Sequence, residues 1–193
     1  MWGRLKKLRN DNTPIVLFGS EPFSSALRMS NIKEFKYDWI WKKPKGTGHL
    51  NAKRQPMRDA EIISVFYSKQ CRYNPQYSNG KPYKSKSGKN GFEGYGKDLR
   101  IGNDNNGKRY PKQVIEYGVV ERNTKHPTQK PIELMEYLIK TYTNEGDTVL
   151  DFTCGSGSTL LASKNLNRKC IGIELEEKYC EIAKKRLTGE ISK

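Results

Sequence analysis

"LDFTCGSGSTLLA", Leu150 to Ala162, joins an apolar run to two closely spaced glycines and then to a helix-forming segment. A strand, a glycine turn and a helix in that order decide the fold class. "CIGIE", residues 170–174, reads as a second strand, and "EEKYCEIAKKRL", residues 176–187, as an amphipathic helix with Tyr179, Ile182, Ala183 and Leu187 inward. Upstream, "KPIELMEYLIKTY" places Ile132, Met135, Leu138, Ile139 and Tyr142 on one helical face, with Pro131 suited to its first turn. Strand and helix alternating in this way predict an α/β fold built on a parallel sheet.

The glycine turn sits where such sheets bind ligands, at the carboxyl ends of the strands. Gly155 and Gly157 remove two side chains there, which lets a ligand approach backbone N–H groups. Glu174 ends the next strand, where an acidic side chain receives ribose hydroxyls. A ribose-bearing cofactor is therefore expected. A dinucleotide fingerprint needs a third glycine where Leu160 stands, no phosphate-loop motif is present, and a tight turn without ligand is the bland alternative.

The rest of the chain has two textures. Residues 1–68 carry three strand candidates, "PIVLFG" (14–19), "KYDWIW" (36–41) and "EIISVFY" (61–67), whose alternating aromatics read as core. Residues 69–125 are poor in aliphatic side chains. There Lys81, Lys84, Lys86, Lys89, Lys97, Arg100, Lys108 and Arg109 alternate with tyrosine and glycine. This stretch is expected to be a long mobile loop or a small subdomain that contacts nucleic acid, or else a passive insert. Residues 126–193 form the cofactor-binding half. A net charge of +15 over 193 residues favours an anionic partner. With four cysteines in no C-x-x-C pair and two histidines, no metal site is expected. No apolar segment suits a membrane span or a signal peptide, so a soluble cytoplasmic protein is expected.

"KHPTQKPIELMEYLI" (125–139) and the stretch from "DTVLDFTCGSGSTLLA" to "KCIGIELEEKYCEIAKKRL" resemble the cofactor half of the β-class DNA amino-methyltransferases. These are bacterial and phage enzymes of restriction and modification that methylate adenine N6 or cytosine N4. "IVLFGSEPFSS", "FKYDWIWKKPKG", "LNAKRQPMRDAEIISVFY" and "YNPQY" extend the resemblance over nearly the whole chain. It implies a Rossmann-like methyltransferase sheet, S-adenosylmethionine as cofactor, double-stranded DNA as partner, and adenine N6 ahead of cytosine N4 as acceptor. Asp151, Phe152, Gly155 and Gly157 would form the turn under the methionine end, with Phe152 where the family often has proline. Ser158 and Thr159 would stand by the methionine carboxylate. Glu174 would take the ribose, and His126, Thr128 and Lys130 would contact the cofactor.

The family's catalytic tetrapeptide, [DNS]-P-P-[YFW], occurs nowhere in the chain. The nearest match is "SEPF", which makes Ser20 and Phe23 the catalytic candidates. In the family order the catalytic strand precedes Met1 and lies between the "TVLDF" and "IVLF" strands. The expectation is therefore an incomplete sheet, with an N-terminal fragment or second subunit, or an oligomer, supplying the missing strand. The rival reading is a non-catalytic remnant or subunit that binds S-adenosylmethionine and DNA.

Overall fold

The structure is a computed structural model that describes residues 1–85, 104–120, 124 and 126–190. In chain order it comprises α1 (Trp2–Leu8), β1 (Ile15–Gly19), α2 (Phe23–Met29), β2 (Phe35–Thr47) and β3 (Arg58–Phe66). Short strands follow: β4 (Ser78–Asn79), β5 (Tyr83–Lys84), β6 (Asp104–Asn105) and β7 (Lys108–Arg109). The chain continues through β8 (Val114–Glu116), α3 (Ile132–Tyr142), β9 (Thr148–Asp151), α4 (Ser158–Asn165), β10 (Lys169–Gly172) and α5 (Glu177–Thr188). The architecture is mixed α/β and Rossmann-like. It divides into a unit of Met1–Asn74 with Gln113–Lys193 and a second unit, Pro75–Lys112.

In the first unit a four-stranded sheet has the order β1-β3-β2-β8. β3 is antiparallel to both β1 and β2, whereas β8 is parallel to β2. β1, β2 and β8 therefore run the same way, and their carboxyl ends share one edge of the sheet. Trp39 and Trp41 of β2 are buried beside Ile63 and Val65 of β3, so the aromatic alternation is core packing. Four successive residues, Ile63 to Phe66, are buried, as in a strand covered on both faces. Burying each of the apolar ones contributes about 1.5–3 kcal/mol.

β9 and β10 pair in parallel as a separate two-stranded sheet, with α4 between them in sequence. Among the described residues the outer edge of β1 and the outer edge of β9 have no strand partner. Helix α3 spans the two sheets. Its Leu134, Leu138 and Tyr142 pack into the tryptophan core of the larger sheet. Its Met135 and Ile139 pack against Ala162, with Val149 of β9 and Phe18 of β1 alongside. The apolar face is wider than the sequence pattern gives, because Leu134 belongs to it as well. The Tyr142 hydroxyl fixes the helix, accepting from Trp39 Nε1 at 2.7 Å and bonding the Tyr37 hydroxyl at 2.9 Å.

The stretch read as the insert, 69–125, resolves differently at its ends. β8 joins the main sheet, and the compact second unit runs Pro75–Lys112. Pairing of β4 with β7 and of β5 with β6 gives this unit its order. The chain leaves the first unit at two pinned points. Asn74 donates to the carbonyls of Lys140 and Thr143, each at 3.1 Å, and Gln113 accepts from the Ile40 amide at 3.0 Å.

At the opposite edge of the larger sheet, Glu34 gathers the N-terminal segment. Its carboxylate accepts from Asn31 at 2.8 Å and Ser68 at 2.7 Å and pairs with Arg9 at 2.8 Å. Burial pushes its pKa up, but hydrogen bonds from Asn31 and Ser68 and the charges of Arg9 and Lys6 outweigh it and lower the value to about 2. A depressed folded pKa means stability that is present above the unfolded value and lost as pH falls toward the folded one. Thermal melts should accordingly hold their midpoint above about pH 5 and lose it between about pH 4.5 and 2. Glu34→Gln should lower the neutral-pH midpoint and flatten part of that acid limb. Parallel acid limbs for variant and parent would exclude Glu34 as their source.

Candidate functional site

Asp151 ends β9 and shapes the turn that follows. Its carboxylate accepts the Thr153 amide at 3.1 Å and the Thr159 hydroxyl at 2.5 Å, closing the turn onto the first residues of α4. Gly155 and Gly157 both take the left-handed backbone, with φ of 50° and 79°. Glu174 follows β10, and its carboxylate reaches back across the turn. It accepts the Gly155 amide at 2.8 Å, the Leu175 amide at 2.8 Å and the Glu176 amide at 3.0 Å. The Glu176 amide above all, with those of Gly155 and Leu175, holds the carboxyl below the ordinary glutamate range. Glycine turn and acidic residue thus form one wall, joined by a hydrogen bond between residues 19 apart in sequence.

The glycines serve packing as much as access. A Cβ at Gly157 would lie 2.9 Å from the Ala183 Cβ, so this glycine admits helix α5 to the turn. A Cβ at Gly155 would come within 3.1 Å of the His126 ring. The third glycine of the dinucleotide fingerprint has a counterpart across the interface. Leu160 stands at that position in α4, and a Cβ on Gly172 of β10 would meet its side chain at 2.5 Å. The close helix–strand approach is kept, with the glycine on the strand.

His126 stands over the turn. Its Nδ1 accepts the Thr128 amide at 3.2 Å, and its ring meets Tyr179 edge-on with centroids 4.3 Å apart. Lys130 points elsewhere: its ammonium bonds Glu61 at 2.5 Å and lies over the Phe18 ring at 4.9 Å. Phe152 is half-buried, and the Ser158 and Thr159 side chains are buried. Of these candidates the structure therefore assembles His126, Thr128, Asp151, Gly155 and Glu174 around one turn. It gives Lys130 to a carboxylate at the sheet edge and Ser158 and Thr159 side chains to the interior.

Three neighbours escape the sequence motifs. Arg186 of α5 is 3% exposed and donates to the Ser156 carbonyl at 2.7 Å, while its Nε and Nη2 have no hydrogen-bond partner among the described residues. Its helical spacing from Ile182 and Ala183 was the available signal. Leu175, beside Glu174, is 93% exposed. Cys154 lies in the turn, and burial, with the charges of Asp151 and Glu174, pushes its thiol up to about 11. It is a protonated thiol at neutral pH, not a nucleophile.

"SEPF" ends β1 and starts α2. Its Glu21 carboxylate accepts from Ser25 and pairs with Arg28 at 2.6 Å, the Ser20 carbonyl accepts the Ser24 amide at 3.1 Å, and Phe23 is exposed. In the second unit Lys84 pairs with Asp104 at 3.1 Å, and Lys108 lies over the Tyr77 ring at 5.7 Å. Arg109 donates to Asn105 and to the Lys81 carbonyl and covers the Tyr83 ring at 4.8 Å. These side chains hold the unit together. Lys86, Lys89, Lys97 and Arg100 lie outside the described residues.

The chain matches the family model N6_N4_Mtase, DNA methylase, over residues 2–185. It is 52% identical over 66 residues to the type II methyltransferase M2.DpnII of Streptococcus pneumoniae, covering 34% of this chain and 25% of that protein. With the type II methyltransferase M.BglII of Bacillus subtilis it shares 31% identity over 158 residues, 78% of this chain and 41% of that protein. The matches thus span between a quarter and under half of those relatives. Among solved structures, the M1.HpyAVI–SAM complex is similar with a TM-score of 0.68 and 31% identity, over 95% of this chain and 78% of that one. PvuII DNA methyltransferase (cytosine-N4-specific), at 16% identity and a TM-score of 0.59 over 93% of this chain and 72% of that one, shares the fold.

Gly157→Ala should destabilise the protein by about 1–3 kcal/mol without any ligand, from the left-handed backbone and the overlap with Ala183. Adding Ala183→Gly should return part of that loss in urea unfolding. Unchanged stability with weakened ligand binding would hand Gly157 back to the ligand.

Proposed function

The chain belongs to the N6_N4_Mtase family of DNA methylases, and on that premise we propose that it carries the S-adenosylmethionine site of a site-specific DNA methyltransferase. The observation that carries this reading is the 2.8 Å bond from the Gly155 amide to Glu174, which sets a ribose-binding acid and a glycine turn on one surface. S-adenosylmethionine supplies an electrophilic methyl group there. Glu174 Oε2 accepts one N–H and keeps capacity for a ribose hydroxyl. The exposed Leu175 offers an apolar face to the purine ring. The first-turn N–H groups of α4, Ser158 and Thr159 included, have no intrahelical acceptor and favour the methionine carboxylate. The buried Arg186 adds positive charge beneath the same turn.

The acceptor is an exocyclic amine of a flipped base, adenine N6 ahead of cytosine N4. Its lone pair is delocalised into the ring, so it needs in-line placement and hydrogen-bond acceptors. The chain contains no [DNS]-P-P-[YFW], and Ser20 and Phe23 flank a glutamate tied to Arg28. The edges of β1 and β9 that have no strand partner among the described residues support a strand supplied by a further segment or subunit, which would complete both sheet and acceptor site. The absent tetrapeptide also favours a second reading, in which the chain alone binds cofactor and DNA without transfer. A cytoplasmic place and basic contacts from the second unit to double-stranded DNA accompany either reading.

Isothermal titration should show S-adenosylmethionine bound, and Glu174→Ala should weaken it by about 1–3 kcal/mol, roughly 5- to 150-fold. Binding of NADH with S-adenosylmethionine ignored would defeat the cofactor reading. Tritiated-methyl transfer to mixed-sequence DNA should be absent for the chain alone and appear when a segment bearing the tetrapeptide is supplied. Nucleoside analysis of that DNA then separates N6-methyladenine from N4-methylcytosine. Transfer by the bare chain that Phe23→Ala abolishes would instead make "SEPF" the catalytic loop.

A further inference from the structure

β2 and β3 continue past the core as an arm. Pairing runs on from Trp41↔Glu61 and Lys42↔Ala60 to Thr47↔Arg58, with an irregularity between the last two pairs. Every residue from Thr47 to Ala60 is exposed, and Leu50 at the tip is 89% exposed, so the arm buries almost nothing. It is nevertheless ordered by its own bonds. The Asn51 amide donates to Gly48 at 2.9 Å, the Arg54 amide to Asn51 at 2.8 Å, and the Thr47 hydroxyl to the Arg58 carbonyl at 3.2 Å. A Cβ on Gly46 would lie 2.9 Å from that of Met57, so the two strands close tightly at the neck.

Between Lys45 and Ala60 the sequence holds four cations, Lys45, Lys53, Arg54 and Arg58, against one acidic residue, Asp59. Lys53, Arg54 and Arg58 make no ion pair among the described residues. The arm springs from the carboxyl edge of β1, β2 and β8, the ligand edge of such sheets. At its root, Glu61 bonds Lys43 at 3.0 Å and Lys130 at 2.5 Å. Lys130 is four residues from His126 over the glycine turn, no more than about 14 Å of chain.

We propose that this arm is a second duplex-DNA contact, its Lys53, Arg54 and Arg58 lying on backbone phosphates beside the methyl-transfer point. The inference rests on the DNA reading above and adds a contact outside the basic insert. Lys53, Arg54 and Arg58, exposed and without an ion pair among the described residues, are placed to meet a polyanion.

The test measures affinity of the full chain for a labelled mixed-sequence duplex by fluorescence anisotropy from 50 to 200 mM NaCl, a range typical for counterion release. Lys53→Gln, Arg54→Gln and Arg58→Gln together should reduce the slope of log K against log salt by about 2–3 units, near 0.9 per phosphate lost. The control, Lys7→Gln, Lys33→Gln and Lys36→Gln, removes equal charge at the opposite edge and should change the slope by less than about one unit. Both variants alter exposed side chains, and unchanged melting midpoints verify their folds. A parental slope in the arm variant, or an equal fall in the control, overturns the arm while the DNA reading stands. A parent chain with no salt-dependent duplex binding overturns the DNA reading and the arm with it.

Discussion

Two sheets that share no strand pairing among the described residues are held in one unit by helix α3. Its Leu134, Leu138 and Tyr142 enter the tryptophan core, and Met135 and Ile139 close on β9 and α4. The Tyr142 hydroxyl, bonded to both Tyr37 and Trp39, sets how far the helix slides along β2. The glycine turn takes much of its position from that wedge, since Ala162 of α4 and Val149 of β9 pack on it. The same helix also receives the Asn74 anchor near its carboxyl end, so one element positions the turn and one exit of the insert.

At the turn, close packing and ligand access compete for the same few glycines. Gly157 yields to Ala183, Gly172 to Leu160 and Gly155 to the edge of His126. Gly155 is buried with its amide donated to Glu174, and Leu175 stands exposed outside it. Asp151 is spent on the turn itself, through Thr153 and Thr159. Tight geometry here comes from hydrogen bonds internal to the protein.

Much of this was legible in the sequence because it follows from period and punctuation. The strands around Val149 and Ile171, the helices beginning near Ile132 and Ser158, and the place of Glu174 after the second strand are all local patterns. Leu160 was legible as a missing glycine, but its complement, Gly172, lies on another element, and no spacing rule links the two. Arg186 was hidden for a similar reason. A charged residue on an amphipathic helix reads as solvent-facing, and its burial against Ser156 depends on how closely α5 approaches. Lys130 was assigned by its motif, and the carboxylate that claims it, Glu61, sits 69 residues away. In the insert, Lys108 lies over Tyr77 and Arg109 over Tyr83, contacts between residues too far apart in sequence for a spacing rule to give.

Within the second unit Ser78 lies opposite Arg109 and Asn79 opposite Lys108. These two points of the chain are therefore about 5 Å apart. A segment whose ends are already joined imposes almost no loop-closure entropy on its host, and the cost of lengthening it grows only logarithmically. The residues between Asn79 and Lys108 can thus be exchanged, shortened or extended while Asn74 and Gln113 keep their anchors. Such a cassette can diverge in sequence while the host that carries the glycine turn stays fixed.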